Sequence, residues 1–298
     1  MKKIIILENN GGRLANQLWQ FISIYAYCLE KEYSCENYSF FRYAHYFNFT
    51  VNNKLVYWLF FKFHNWHKNT YFTKIIYFIF KILIKNLFPK RIILDDKGKF
   101  LLPPSNNSIF TQNEIIKLID SSNDSSWYFY GWLFTNPAGL MKYHDNIVEY
   151  FKPKEQYYSQ VEKFVKKLRN GNKRLVGVHI RQGDFKTWMG GKFYFSLQEI
   201  KMILDDFLIN QTDFNKENTI FILCSDGHVD KEIFSGLNII QGLGSEISDL
   251  FTLAATDLII GNPASSYGAW ASYYGNIPIF EFSKEKIDWS AKIINFSQ

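Results

Sequence analysis

From Arg174 to Phe282 the chain alternates short apolar runs with longer amphipathic ones, and few architectures accept that rhythm. The runs "RLVGVHIR", "NTIFILCSD", "LNIIQG", "DLIIGN" and "IPIFEF" are apolar almost throughout rather than at every second position. That pattern predicts strands buried on both faces. Between them, "SLQEIKMILDDFLIN" reads as a helix with Ser196 as N-cap. "VDKEIFS" reads as a short helical turn, "SEISDLFTLAAT" as a helix capped by Ser245 or Ser248, and "ASSYGAWASYYG" as another helix. Repeated strand–helix alternation predicts a parallel sheet with helices on both faces. Such sheets bind ligands beyond the carboxyl ends of their strands. His179, Asp226 and Asn262 fall at or just past those ends.

The first half opens in a related way. "MKKIIILENN" contains an apolar run of four residues. A secretory leader needs about 7–15, so a buried first strand is expected. "GGRLANQLWQF", Gly11–Phe21, then forms a glycine-rich turn into a helix with Leu18, Phe21, Ile22, Tyr25 and Leu29 along one face. "SSWYFYGWLF" is rich in strand formers, and "FKPKEQYYSQVEKFVKKLRNGNK" reads as linker, helix and C-terminal Gly-Asn stop. These readings give two domains, 1–153 and 154–298, with the boundary near 150–156. At 47% apolar residues the chain has ample material for packed cores, which excludes wholesale disorder. Cys28, Cys35 and Cys224 are odd in number and lack metal-ligand spacing, so reduced thiols are expected.

The formal charge of +6 is unevenly placed. Between Asn37 and Leu94 there is no acid, but there are Arg42, Lys54, Lys62, Lys68, Lys74, Lys81, Lys85, Lys90 and Arg91. Without those nine, 25 cations face 28 acids, a balance of −3. One region therefore suits an anionic partner. Lys74, Lys81 and Lys85 fall within about 40° of one another on a helix. The segment at about 50–92 is thus a basic, aromatic insertion with two main readings: a core helix with one solvated stripe, or a helix lying on an anionic membrane surface. No recognised nucleic-acid module accompanies the charge, so no nucleic-acid partner is expected.

Polar groups gather at the predicted strand ends. In "VGVHIRQGDF", His179 and Arg181 point to the same side. Arg181 offers a permanent charge and a forked donor set suited to phosphate, and Asp184 can fix the arginine or the loop. In "NPASSYGAW", Ser265 and Ser266 open a helix whose free amides and positive end suit an anion, although ordinary capping explains them equally well. Asp226 and Asp249 can accept hydrogen bonds from a base or ribose, or sit solvated at the surface. No G-x-G-x-x-G after a strand, Walker A, H-E-x-x-H or G-x-S-x-G is present. The D-x-D pair that many metal-dependent sugar transferases use is absent, and Asp95–Asp96 lacks its spacing. A pyrophosphate held by Arg181 and a helix end requires no metal.

Taken together in their order, "GGRLANQLWQF", "HIRQGD" and "SSYGAW" resemble the alpha-1,2-fucosyltransferase family, within the alpha-1,2, alpha-1,6 and protein O-fucosyltransferase superfamily. The resemblance covers nearly the whole chain apart from about 37–125. It implies a GT-B-like α/β fold, two Rossmann-like domains with a donor cleft between them, the first on the acceptor side and the second binding the nucleotide sugar. It implies GDP-fucose as donor and a metal-independent, inverting reaction with no cofactor. Carried over by position, Arg181 binds the β-phosphate and assists its departure. His179 and Asp249 contact the guanosine portion with Asp226 nearby, and Ser265 and Ser266 hold the pyrophosphate. Asn16 faces the donor across the cleft. Gly11, Gly12, Arg13, Asp184 and Tyr267 complete the donor-binding set.

Two departures stand out. Gln182 replaces a second arginine found in many relatives, and "FKTWMGG" supplies no acid where some relatives carry a candidate base. The expected activity is transfer of L-fucose to a glycan hydroxyl, alpha-1,2 to galactose, in bacterial surface polysaccharide synthesis. The expected location is cytoplasmic, at the inner face of the membrane where a lipid-linked acceptor would lie. A transferase using another GDP-sugar, and a catalytically silent glycan- or membrane-binding relative, are the alternatives.

Overall fold

The computed structural model describes residues 2–8, 12–37, 40, 43–49, 75, 78–79, 82, 92–93, 111–130, 134–171 and 173–290. Gly11, Arg42, Lys54, Lys62, Lys68, Lys74, Lys81, Lys85, Lys90, Arg91 and the Asp95–Asp96 pair lie outside the described residues, as does most of the basic insertion. The chain divides into two units, Met1–Lys152 and Pro153–Gln298.

In the first unit, the isoleucines of β1 (Lys3–Glu8) are at most 1% exposed, as befits a strand covered on both faces. β1 lies between β2 (Ser34–Asn37) and β4 (Ser126–Tyr130), with β3 (Ile92–Ile93) beyond β4, and every pairing is parallel. The helix α1 (Leu14–Glu30) follows β1. It departs from the one-faced expectation: Ile24, Ala26 and Cys28 are buried along with Leu18, Phe21 and Ile22, whereas Tyr25 and Leu29 are half-buried. Sequence periodicity misses this because distant segments supply the cover. Phe21 meets Phe40, Tyr150 and Phe151 at 5.7, 6.0 and 4.9 Å between ring centroids. The helix α2 (Gln112–Ser121) starts in a capping box of Thr111 and Glu114, a device worth about 1 kcal/mol. Asp120 near its end accepts hydrogen bonds from Tyr27 and Tyr33 and pairs with Lys31, tying α2 to the far end of α1. Two short helices, α3 (Pro137–Lys142) and α4 (His144–Tyr150), pack on α1 and close the unit.

The second unit begins with α5 (Glu155–Leu168) and contains β5 (Arg174–Ile180), α6 (Leu197–Asn210), β6 (Thr219–Ser225), β7 (Ile239–Gln241), α7 (Glu246–Ala254), β8 (Leu258–Gly261), α8 (Ser266–Gly275) and β9 (Ile279–Glu281). Its sheet is wholly parallel with the order β7-β6-β5-β8-β9. The chain steps outward from β5 in one direction, then returns to place β8 on the other side. The reversal falls between β5 and β8, and open α/β sheets form their ligand crevices at such a point. Ser196 and Glu199 cap α6 reciprocally, and Ser245, not Ser248, caps α7 by accepting the Ser248 amide at 3.1 Å. One core cluster packs Val176, Val178, Phe207, Phe221, Leu223 and Ile260 at no more than 2% exposure. At the opposite ends of the strands Arg169 donates to both oxygens of Asp257, which also accepts the Leu175 amide at 2.7 Å. This anchor fixes the start of β5 against β8 and so helps set the register of their other ends.

Among the described residues no helix is long and apolar enough to cross a membrane. The helical residues Ile75, Phe78, Ile79 and Ile82, spaced to share one face, are 42%, 62%, 51% and 43% exposed. A core helix would bury them, so that reading of the insertion does not hold at these positions.

Candidate functional site

The carboxyl ends of β5, β6 and β8 assemble one polar cluster. His179 and Gly261 are register partners, and the Asn262 amide donates to the His179 carbonyl at 3.3 Å. The Asn262 side chain bridges the two strands: its Oδ1 accepts the Arg181 amide at 2.6 Å and its Nδ2 donates to the Phe193 carbonyl at 2.8 Å. Asn262 is 3% exposed, so these bonds replace water that it has lost. It pins both the arginine and the returning end of the loop beyond it.

Arg181 leaves β5 just past its last strand residue, with its side chain 16% exposed. Asp184 Oδ1 accepts its Nε at 2.8 Å and lies at the same distance from Nη2, and Asp226 Oδ2 sits 3.0 Å from Nη1. The guanidinium is thereby oriented from two sides. One guanidinium faces two carboxylates, so the cluster is no pool of positive charge; its value to an anion lies in directed donors. Asp226 also accepts the Gln182 amide at 2.8 Å and the Gly183 amide at 3.2 Å. The Asp226 carboxylate thus builds the arginine loop. Gln182 is likewise structural, donating its side-chain amide to the His228 carbonyl at 2.9 Å and so lacing the β5 loop to the β6 loop.

His179 is 5% exposed and stacks on Tyr267, with ring centroids 4.9 Å apart. Burial chiefly, and then the neighbouring Arg181 charge, push its pKa down to about 4 against the opposing pull of Asp226. The imidazole is therefore neutral at pH 7. Its Nδ1 lies 3.4 Å from the Ser265 hydroxyl. Ser265 occupies the N-cap position of α8 but makes no capping bond with its side chain, and the first turn, opening at Ser266, carries no acid. Ordinary capping thus does not explain Ser265. The preceding residue, Ala264, holds φ at +57°, a left-handed value that costs a non-glycine residue about 1 kcal/mol or more. Its amide donates to the Glu281 carboxylate at the end of β9, and burial raises the pKa of that acid. Neither Ala264 nor Glu281 carries a motif, and nothing in the sequence marks their partnership.

Asp249 sits one layer away, 8% exposed on α7. Its Oδ1 accepts the Gly244 amide at 3.0 Å, and burial raises its pKa despite backbone bonds from Gly244 and Leu243 that lower it. A Cβ at Gly242 would lie 2.6 Å from Asp249 Oδ1 and 2.8 Å from Cys224 Sγ, so only glycine lets this turn pass over the acid. Asp249 therefore shapes the β7–α7 turn. Arg181 contacts Asp184 and Asp226, His179 contacts Ser265 and Tyr267, and Asn262 links the two groups through the Arg181 amide and the His179 carbonyl, with Ser266 on the adjoining first turn of α8.

Gly12, Arg13 and Asn16 belong to the first unit. Gly12 has φ +81°, and a Cβ there would lie 2.3 Å from Asn16 Nδ2, so the glycine makes room for that amide. Arg13 is exposed at the N-cap of α1 and offers it no side-chain cap. Gln17, 9% exposed, donates to the Gly12 carbonyl at 3.4 Å and closes the turn from behind.

Among the described residues, no group of three His, Cys, Asp or Glu side chains is arranged to hold a metal ion. A groove of about 940 Å³ lined by α5 residues with Phe251 and Tyr274 includes none of the strand-end cluster.

No curated protein matches the chain in sequence. Among solved structures, the NodZ alpha-1,6-fucosyltransferase soaked with GDP-fucose superposes with a TM-score of 0.58 at 14% identity, covering 98% of this chain and 97% of that one. POFUT1 in complex with GDP gives 0.55 at 13% identity over 95% and 98%. The fucosyltransferase NodZ from Bradyrhizobium gives 0.57 at 12% identity over 97% and 98%. At such identities the likeness establishes the α/β, GT-B-like fold. The family model for "Glycosyl transferase family 11" matches residues 80–279, a span that includes the whole strand-end cluster. Fold and family agree with the superfamily resemblance carried by the motifs, and the chain belongs to glycosyl transferase family 11.

Proposed function

We propose that the protein is an inverting fucosyltransferase that takes L-fucose from GDP-fucose and places it on a glycan hydroxyl, alpha-1,2 to galactose. The observation that carries this reading is the β5/β8 switch point, where Arg181 is held by two carboxylates beside the uncapped first turn of α8. As the acceptor hydroxyl attacks the anomeric carbon, the bond to the diphosphate breaks and negative charge grows on the β-phosphate. Donors already fixed toward that charge lower the barrier without reorganising. Arg181 retains N–H donors beyond those that bind Asp184 and Asp226, and the α8 amides add the positive end of a helix. Neutral His179 and Tyr267 wall the site beneath Ser265. The leaving diphosphate is thus served by protein donors, and the reaction is proposed to be metal-independent. The guanine and fucose assignments rest on the family and on relatives solved with GDP-fucose or GDP.

Acceptor recognition is assigned to the first unit, whose glycine turn makes room for the Asn16 amide. The exposed stripe Ile75, Phe78, Ile79 and Ile82, set in a segment of cations without acids, supports a peripheral seat on an anionic membrane, at its cytoplasmic face and near a lipid-linked acceptor. Co-sedimentation with anionic vesicles that weakens with salt is expected; equal binding to neutral vesicles, or to neither, refutes that seat.

The deciding experiment offers a panel of GDP-sugars with galactoside acceptors and follows GDP release and product. Fucoside from GDP-fucose is expected. Turnover with another GDP-sugar and none with GDP-fucose would move the protein to that donor. Binding of glycan without any transfer would make it a silent relative, a reading that Gln182 keeps in view because its side chain serves the loop rather than a phosphate.

A further inference from the structure

Five residues after Asp184 the chain begins an unusual excursion. Met189, Gly190 and Gly191 all have positive φ, at +48°, +68° and +77°. Met189 is not glycine, so its left-handed backbone is strained. The loop holds it through successive short-range bonds: the Gly190 amide to the Thr187 carbonyl at 3.1 Å, and the Tyr194 amide to the Gly191 carbonyl at 3.0 Å. Its far end is pinned where the Phe193 carbonyl accepts from Asn262 at 2.8 Å. The result is a bend that leaves Trp188 43% and Met189 63% exposed.

Trp188 does not project alone. Phe185, itself 7% exposed, stacks on it at 5.1 Å and 27°, and Phe193 lies 5.3 Å away at 34°. Phe185 in turn carries the Arg181 guanidinium 5.7 Å above its ring centroid. An aromatic ladder therefore runs from Arg181 through Phe185 to an exposed indole. Lys186 and Lys192 flank it, their ammonium groups over Tyr194 and Phe193. An exposed indole backed by two aromatic rings, on a strained loop that also carries two lysines, has a surface suited to one ligand class. A pyranose ring stacks its apolar C–H face on the indole and turns its hydroxyls outward to the ammonium groups.

We infer that Trp188, supported by Phe185 and Phe193, is a stacking platform for a pyranose ring of the acceptor glycan, an acceptor subsite in the second unit that adds to the one assigned to the first. The inference rests on the proposed transferase reading for its occupant. It explains why the strain at Met189 is held: relaxing the bend would withdraw the indole from the arginine end of the ladder.

The test uses the full chain with Trp188→Ala and Trp188→Phe. Acceptor KM, kcat and GDP affinity are measured for each, and saturation-transfer NMR is recorded with lactose and methyl β-galactoside. Trp188→Ala should raise acceptor KM roughly tenfold, the worth of one stacked aromatic contact. kcat and GDP affinity should be nearly unchanged, Trp188→Phe should recover part of the loss, and the sugar C–H signals should weaken in the alanine variant. An unchanged acceptor KM overturns the platform. A fall in GDP affinity instead assigns the indole to the donor and overturns it. If wild-type protein transfers no sugar at all, the functional reading fails separately, and the NMR comparison between wild type and Trp188→Ala still decides whether the indole binds a glycan.

Discussion

Replacing Arg181 by alanine separates catalysis from stability in a way the structure makes quantitative. The side chain is 16% exposed and touches two acids of unlike burial, Asp184 at 57% and Asp226 at 19%. Losing the pair with Asp184 costs little, because exposed pairs are worth at most about 1 kcal/mol. Asp226 is the more dependent partner, but it keeps the amides of Gln182 and Gly183 at 2.8 and 3.2 Å. It is therefore left solvated by backbone donors rather than stranded, and a total loss of about 1–2 kcal/mol follows. The second unit should stay folded, with melting lowered by a few degrees. Transfer should fall much further. One preorganised donor at a developing oxyanion is worth roughly 3–4 kcal/mol, about two to three orders of magnitude in kcat. Arg181→Lys should recover little, because it keeps a charge but loses the fork that Asp184 and Asp226 orient. The assay pairs GDP release under saturating donor and acceptor with a melting curve on the same preparation. Near-normal turnover by a folded Arg181→Ala variant would refute the reasoning, and so would a loss accounted for entirely by unfolding.

His179 gives a pH signature. Its pKa falls from 6.5 to about 4 on folding, so between those values the unfolded chain takes up a proton that the folded chain refuses. Stability is unaffected above the window and declines as pH falls through it, by roughly 3 kcal/mol at its foot. Denaturant titrations should show this slope flattened in His179→Gln, and an identical slope in both proteins would contradict the burial argument. Gly12→Ala should displace the Asn16 amide, since the new Cβ would meet it at 2.3 Å. Turnover should fall with GDP affinity retained, whereas unaltered kinetics would remove the N-terminal turn from the mechanism. Transfer should survive EDTA and yield an α-fucoside from the β-linked donor. A loss restored by Mg²⁺ or Mn²⁺, or a β-fucoside by NMR, would count against protein-only leaving-group stabilisation or single displacement respectively.

How much of this was legible in the sequence depended on the range of the interaction. "RLVGVHIR" and "DLIIGN" announce buried parallel strands because continuous apolar runs have few other uses, and both form strands here. Ser196 and Ser245 announce helix starts because capping is local. The strand-end position of Arg181 follows from the same local logic. What escaped was set by neighbours far apart in the chain. Asp226 turns to Arg181 and to the Gln182 amide, 44 residues away, because β5 and β6 are adjacent strands. Ala264 is strained over Glu281 because β8 and β9 end side by side. The burial of α1 beyond one face needed rings from Phe40, Tyr150 and Phe151 that no helical period encodes. The bend at Met189 could have been suspected from "WMGG", since paired glycines admit positive φ, but its strained methionine could not.

The central claim is that the β5/β8 switch point receives a nucleoside diphosphate. A crystal of the protein soaked with GDP tests it most directly. The account predicts the β-phosphate within hydrogen-bond distance of the Arg181 guanidinium and of the first amides of α8, with the Arg181–Asp226 pair kept at its present 3.0 Å. GDP seated away from Arg181 and Ser266, or no bound GDP at saturating concentration, would contradict it.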